Sequence, residues 1–293
     1  MAKLFIDSKF LHQLDSLKLI SKRARKVFFQ GERRGKKPGS GLEFIDYQEY
    51  QIGDDYRYID WHLFSRLEQL FVKLFVQEEN LRVYLIIDQS ESMSGGDPSK
   101  IDYACQLAAA LGYIALVNLD EVGSTTFSSQ LKKILPPGRG KSQVFNLFHF
   151  LQEINTQGRT SFNFSLKEFS RRQRKIGMAI VLSDLLDPFG YEEGLLSLRS
   201  RGWEVCLLQI LEEKELKPVE EGEVVLIDKE THQRIETIID EVTRQRYEGE
   251  IKDFLQRVES FCKHYEINYL RVLTSFPLIS FIFQDLRKRQ ILK

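Results

Sequence analysis

VYLIIDQSESM, residues Val83–Met93, is the stretch around which this chain is organised. It opens with five apolar residues, and a short apolar run bounded by polar residues is typical of a strand buried on both faces of a parallel sheet. The run stops at Asp88, and Ser90 and Ser92 follow at alternate positions. Open α/β sheets bind their ligands at the carboxyl ends of the strands. We therefore expect these three polar side chains to lie at a ligand-binding edge.

The side chains of Asp88, Ser90 and Ser92 bring one carboxylate and two hydroxyls to a single short loop. Hard oxygen donors of this kind suit Mg²⁺ or Mn²⁺. Asp and Ser are also common in turns. Taken alone, these residues leave two interpretations open, a metal site and a serine-rich turn.

The pattern D-x-S-x-S after a buried strand resembles the metal-ion-dependent adhesion site of the von Willebrand factor A domain. The resemblance implies two further ligands from later loops. Thr160, before a predicted helix, falls at the first place, and its alternative role is that of a helix N-cap. Asp184 falls at the second place, where the apolar run Ile176–Leu182 leads into Ser183-Asp184, and is preferred to its neighbour Asp187. The implied metal site consists of Asp88, Ser90, Ser92, Thr160 and Asp184.

A second resemblance rests on the aromatic and acidic run from Gly39 to Arg66. The pattern E-F-x-D-Y-x-x-Y-x-x-G-D-D-x-R-x-I-D-W within this run is similar to the hallmark of the bacterial family called domain of unknown function 58. In that family it directly precedes a von Willebrand factor A-like region, as it does here, and Ser65 replaces the usual alanine. From the residues alone, we interpret the run as a buried ion-pair network of Arg57, Arg66 and the nearby aspartates, because buried charges have to be paired.

The overall charge does not indicate that the whole surface binds nucleic acid, because 42 basic residues balance 42 acidic residues. The segment Lys18–Lys37 is a local exception, since it is strongly basic and rich in glycine towards its end. It could bind nucleic acid or an acidic surface, or it could be a solvated helix face followed by a loop.

Three isolated cysteines, Cys105, Cys206 and Cys262, favour a reducing compartment over a disulfide framework. The apolar runs are shorter than the roughly 18 residues of a membrane span. The N-terminal sequence does not resemble a signal peptide. We therefore expect a cytoplasmic protein without a transmembrane segment.

The succession of predicted elements indicates an α/β fold with a doubly wound, mostly parallel sheet and helices on both faces. We expect residues 1–79 to form a family-specific N-terminal segment packed on the core. Residues 80–293 are expected to form the von Willebrand factor A-like, Rossmann-like domain. A β-hairpin insertion is expected around residues 223–239, where two apolar runs flank the polar sequence DKETHQR.

The two resemblances imply a non-catalytic, metal-dependent protein–protein interaction module rather than an enzyme. The metal of the adhesion site keeps one position open for an acidic side chain of a partner. Proteins of the second family are often paired with a MoxR-type AAA+ ATPase, which implies such an ATPase as the partner in a chaperone-like assembly.

Two alternative functions stay open at this point. The first is a metal-dependent phosphohydrolase that uses Asp88 and needs a nearby base, although the histidines are scattered along the chain. The second is nucleic-acid binding through the basic segment Lys18–Lys37.

Overall fold

A computed structural model of the chain describes residues 8–21, 26–28, 42–78, 80–217 and 222–293. The described residues form two compact units. The larger unit contains residues 8–21 and 81–293, and the smaller unit contains the described residues between 22 and 80. Within the basic segment Lys18–Lys37, residues 22–25 and 29–37 lie outside the described residues. The alternative role of this segment in nucleic-acid binding is therefore untested.

Helices and strands are intermixed along the chain. They are α1 (Ser8–Leu14), β1 (Lys26–Phe28), β2 (Leu42–Glu49), α2 (Trp61–Leu67), β3 (Phe71–Glu78), β4 (Arg82–Asp88), α3 (Lys100–Val117), β5 (Glu121–Phe127), β6 (Leu131–Gly138), α4 (Gly140–Gln152), α5 (Phe162–Arg172), β7 (Met178–Ser183), α6 (Glu192–Ser200), β8 (Glu204–Leu211), α7 (Glu213–Leu216), β9 (Gly222–Ile227), β10 (Arg234–Ile239), α8 (Glu241–His264), β11 (Asn268–Leu273) and α9 (Leu278–Ser280). After α9 the chain continues as a π-helical segment, Phe281–Leu286.

The main sheet of the larger unit has β4 near its centre. Within the described part of the chain its strand order is β11-β8-β7-β4-β5-β6. Neighbouring strands are parallel, except that the edge strand β6 is antiparallel to β5. If these six strands are renumbered 1 to 6 in chain order, the sheet read from β6 to β11 has the order 3-2-1-4-5-6 of doubly wound folds. The expected α/β fold with a mostly parallel sheet is confirmed.

Helices cover both faces of this sheet, because successive side chains of a strand point to opposite faces. Val83, Leu85 and Ile87 of β4 are fully buried in a core that also contains residues of α1, α3 and α4. Tyr84 and Ile86 are buried in a second core with residues of α5, α6 and α8. Burial on both faces explains why β4 has no charged residue between Val83 and Ile87.

The division of the chain differs from the expected one in the first 21 residues. Residues 8–21 belong to the larger unit and not to the N-terminal segment. The physical reason is that Leu14 and Leu17 are buried in the core of the larger unit, and Leu19 forms a β-bridge with Leu292. The expected packing of the rest of the N-terminal segment on the core stays a prediction. The hairpin is found where the sequence places it, since β9 and β10 pair in antiparallel register.

Most residues of α3 are buried in the first core, including small ones such as Ala108 and Gly112. Among the described residues it is the one helix that is long and apolar enough to cross a membrane, and most of it is buried inside the protein. Such burial is usual for a central helix of a packed core.

In the smaller unit, β1, β3 and β2 form an antiparallel sheet. Asp60, which precedes α2, has several polar partners in this unit. The Asp60 carboxylate caps α2 by accepting hydrogen bonds from the backbone N–H groups of His62 and Leu63. It also accepts a hydrogen bond of 3.0 Å from the Tyr47 hydroxyl and lies 2.9 Å from Lys73 Nζ. The bonds from Lys73 and from the helix backbone lower the pKa of Asp60 to about 2.

The predicted buried network around Arg57 is wrong. The Arg57 side chain is 72% exposed and pairs with Asp55, two residues earlier. Arg66 is exposed as well. Asp60 has the buried position instead, because it both begins α2 and faces the side chains of β2 and β3. A local sequence pattern does not show which of several neighbouring aspartates points inwards.

Gly112→Ala in α3 is expected to lower the free energy of unfolding. A Cβ atom at this position would lie 2.3 Å from Leu147 Cδ2 and 3.1 Å from Leu85 Cδ1, and both leucines are fully buried. Overpacking costs about 1–3 kcal/mol. Replacing glycine by alanine within a helix gains at most about 1 kcal/mol. Urea denaturation measures the difference.

Gly249→Ala in α8 is the matched control. A Cβ atom there would meet no atom within 4 Å, so the better helix propensity of alanine is expected to raise the free energy of unfolding by about 0.5–1 kcal/mol. If both variants gain stability, α3 does not pack tightly against α4 and β4.

Asp60→Ala is expected to speed hydrogen exchange of the first α2 amides about tenfold, because the helix loses its cap. Arg57→Ala is the control and should leave this exchange unchanged, since an exposed ion pair stabilises little. Because the pKa of Asp60 is lowered to about 2, its stabilisation is present at neutral pH and is lost as the pH falls through about 2. Equal exchange in the two variants would contradict a central role of Asp60.

Candidate functional site

Four of the five predicted site residues meet at the carboxyl ends of β4 and β7. These strands are neighbours, and the side chains of Asp88 and Asp184 are fully buried there. The Ser183 hydroxyl donates a hydrogen bond of 2.7 Å to Asp88 Oδ2, and the Ser90 N–H donates one of 3.0 Å to Asp88 Oδ1. The hydroxyl oxygens of Ser90 and Ser92 lie 3.0 Å apart. The structure therefore places these donors on one edge of the sheet.

Asp88 and Asp184 concentrate negative charge where both side chains are fully buried. Burial and the charge of Asp184 raise the pKa of Asp88 to about 7, although the hydrogen bonds from Ser90 and Ser183 favour the ionised form. Two carboxylates that share a buried place disfavour each other's ionised form. A nearby positive charge relieves this repulsion.

Lys100, in the first turn of α3, supplies a positive charge from within the chain. Its Nζ atom lies 2.7 Å from Asp184 Oδ2 and forms a second ion pair with Glu215 of α7. The Lys100 side chain is only 1% exposed. Burial lowers the pKa of Lys100, but the charges of Asp184 and Glu215 outweigh this effect and the net shift is upward. Lys100 is therefore a permanently charged neighbour of the site.

Sequence reasoning missed both Lys100 and Glu215. Lys100 follows Ser99, which caps α3, and a lysine at a helix start is not in itself a signal. Glu215 lies in an acidic and polar stretch. Their pairing joins residues that are 115 positions apart, so no spacing within the sequence indicated it.

Thr160 lies in the loop between α4 and α5, beside the loop that carries Ser90 and Ser92. The Glu91 N–H donates a hydrogen bond of 3.0 Å to the Gly158 carbonyl and so connects the two loops. The Thr160 hydroxyl donates to Glu230 Oε1 at 2.7 Å. Thr160 is not the N-cap of α5, because Ser161 has that position.

Asp187, the neighbour considered beside Asp184, has a different role. Its carboxylate accepts hydrogen bonds from the Phe162 N–H at 2.7 Å and from the Phe189 N–H at 2.9 Å. It thereby joins the loop after β7 to the start of α5. Asp184 is the one that lies beside Lys100.

The donor set fits a small divalent cation. Neighbouring ligands of an octahedral ion with bonds of about 2.1 Å lie about 3 Å apart, and the Ser90 and Ser92 hydroxyls are separated by 3.0 Å. The buried charge of Asp88 and Asp184 would be neutralised by such an ion. Within the described residues, no three His, Cys, Asp or Glu side chains form a metal cluster. The predicted set has only two carboxylates, and its metal role stays a prediction.

Comparisons with known proteins find a matching family and several similar chains. The family model described as "Protein of unknown function DUF58" matches residues 46–256. An uncharacterized protein of Mycobacterium tuberculosis is 25% identical over 246 residues, which are 82% of this chain and 77% of that protein. Among solved structures, the conserved hypothetical protein BatB from Bacteroides thetaiotaomicron is similar with a TM-score of 0.47 and 20% identity, over 72% of this chain and 98% of that chain. The SpRpn10 VWA domain is similar with a TM-score of 0.35 and 12% identity, over 69% of this chain and 93% of that chain.

Lys100→Met is expected to lower the free energy of unfolding by about 3–5 kcal/mol, because it leaves buried carboxylates without their counter-charge. Urea denaturation at neutral pH measures this loss. The double variant Lys100→Met/Glu215→Gln should recover part of it, since one of the two unpaired carboxylates is then neutral. If Lys100→Met is as stable as the wild-type protein, the buried carboxylates do not depend on the ammonium group of Lys100.

Proposed function

The chain belongs to the DUF58 family, a protein family of unknown function, and we propose that it is a non-catalytic module that binds a protein partner through a divalent cation. Its von Willebrand factor A-like fold is compatible with a role in protein interaction. The observation that carries the proposal is the convergence of Asp88, Ser90, Ser92 and Asp184 at one edge of the sheet with an excess of buried negative charge.

The proposed ligands of Mg²⁺ or Mn²⁺ are Asp88, Ser90, Ser92, Thr160 and Asp184. Two carboxylates, one of them already paired with Lys100, neutralise a divalent ion incompletely. A partner's Asp or Glu would bring the missing negative charge and an additional oxygen ligand. The affinities for metal and for partner would then increase each other, as coupled binding requires.

The proposed partner is a protein that presents an exposed acidic side chain. The resemblance to the family implies a MoxR-type AAA+ ATPase, working with this chain in a chaperone-like assembly in the cytoplasm.

A hydrolytic role for Asp88 has less support than a binding role. Asp88 is fully buried, and both of its carboxylate oxygens accept hydrogen bonds from the protein. A carboxylate held in this way is well placed to fix a loop and a cation. It is poorly placed to attack a substrate.

Asp88→Ala is expected to abolish Mg²⁺ and Mn²⁺ binding in calorimetric titration and to leave a folded protein. The backbone of Asp88 is held by the pairing of β4 with β5, so circular dichroism should be unchanged. A carboxylate about 4 Å from a divalent ion contributes about 8 kcal/mol at an effective dielectric constant of 20, before the cost of hydration is subtracted. Asp184→Ala should have a similar effect.

Ser90→Ala removes a neutral donor and should weaken metal binding less than Asp88→Ala. Ser94→Ala is the matched control, because the Ser94 hydroxyl is exposed on the same loop and donates to the Glu91 carbonyl. Metal affinity of Ser94→Ala should equal that of the wild-type protein. The proposal is wrong if the wild-type protein binds neither ion, or if Asp88→Ala binds them as well as the wild-type protein.

A further inference from the structure

The tip of the β9–β10 hairpin, residues 228–233, lies against the candidate metal site. The carboxylate of Glu230 accepts two hydrogen bonds from Thr160, one of 2.7 Å from its hydroxyl and one of 3.0 Å from its N–H. Arg159 Nε donates a further hydrogen bond of 3.2 Å to the Glu230 carbonyl. An acidic side chain from within the chain thus engages one of the five proposed metal ligands.

The tip also reaches the loop that carries Ser90 and Ser92. The His232 ring lies 3.6 Å from the Glu91 carboxylate. A Cβ atom added to Gly95 would lie 2.6 Å from Lys229 Nζ, so the Lys229 side chain reaches the backbone that follows Ser92. The hairpin tip therefore contacts both loops that supply hydroxyl ligands.

The backbone of the tip is held in the conformation that presents Glu230. Asp228 Oδ1 accepts hydrogen bonds from the Thr231 N–H at 2.6 Å, the Thr231 hydroxyl at 2.8 Å and the Glu230 N–H at 3.0 Å. The bonds from Thr231 make the largest contribution to lowering the pKa of Asp228. The turn at the tip thus presents Glu230 through contacts within this chain.

The strands of the hairpin expose most of their apolar side chains. Val225, Leu226, Ile227, Ile235 and Ile238 are exposed. A two-stranded hairpin is marginally stable on its own. Moving the tip away from the site would therefore disturb little of the buried core.

We propose that Glu230 is an internal ligand of the metal site, at the position that a partner's acidic side chain would take. The inference rests on the proposed function. A hydroxyl can donate its hydrogen while its lone pairs bind a cation, and a carboxylate has lone pairs beyond those that accept two hydrogen bonds. The contacts between Thr160 and Glu230 are thus compatible with both groups binding one ion.

An internal ligand makes the site selective. Because Glu230 and the other proposed ligands belong to the same chain, the effective concentration of Glu230 at the site is about millimolar. An external carboxylate binds only in the fraction of molecules whose tip is displaced, so its apparent affinity is lowered by that fraction. A partner must therefore supply contacts beyond one acidic side chain.

The test compares Glu230→Gln with Glu236→Gln in the full chain. Glu236 lies on the same hairpin and is exposed, so its replacement causes the same change in charge away from the site. Calorimetric titration measures Mn²⁺ binding. A second titration of the Mn²⁺-loaded protein uses N-acetylglutamate amide, which has a single side-chain carboxylate, and its glutamine analogue. Water-proton relaxation reports how many waters remain on the bound ion.

Glu230→Gln is expected to lower the affinity for Mn²⁺ about tenfold and to raise that for the glutamate probe about tenfold. It should also increase the number of waters on Mn²⁺, whereas Glu236→Gln should match the wild-type protein in every measurement. If Glu230→Gln also matches a wild-type protein that binds Mn²⁺, Glu230 only holds Thr160 in place, and the inference is overturned while the proposed function stands. If neither variant nor the wild-type protein binds Mn²⁺, the proposed function fails and the inference fails with it.

Discussion

The structure depends on negative charge that is buried at the carboxyl edge of a parallel sheet. Asp88 and Asp184 end up side by side because β4 and β7 are neighbouring parallel strands. Carboxylates without partners would be too costly in such a place. The Ser183 hydroxyl, the Ser90 N–H and the ammonium group of Lys100 satisfy them. The loops at this edge supply the groups that bond to the two carboxylates.

The doubly wound topology brings the compensating groups to the same edge. Lys100 begins α3, which follows β4, and Glu215 lies on α7, which follows β8. In a parallel sheet every strand is followed by a connection that starts at the carboxyl edge. The helices on both faces supply the apolar burial of the sheet.

The partial compensation of this charge connects the structure with the proposed function. Lys100 already compensates part of the negative charge at the site. A divalent ion would therefore need further negative charge, either from Glu230 or from a partner. Metal binding, the position of the hairpin and partner binding would then be three coupled equilibria. Each pair of these equilibria would share one coupling free energy, so that each member of a pair shifts the other by the same amount.

Much of the fold could be inferred from local pattern. The apolar run before Asp88 and the one before Asp184 indicated buried parallel strands, because a strand covered on both faces needs apolar residues throughout. Polar residues directly after such strands indicated the edge where ligands bind. The sequence also located the hairpin, since two short apolar runs flank a polar turn.

Tertiary structure alone decided which charges meet. Thr160 and Glu230 are 70 positions apart, and Lys100 and Glu215 are 115 positions apart. Asp60, rather than Arg57, became the centre of the charge network of the smaller unit. The local pattern of apolar residues indicates whether a segment is buried, because each buried position favours an apolar side chain independently of distant residues. The pairing of charges depends on distances between loops, and those distances exist only after the sheet has formed.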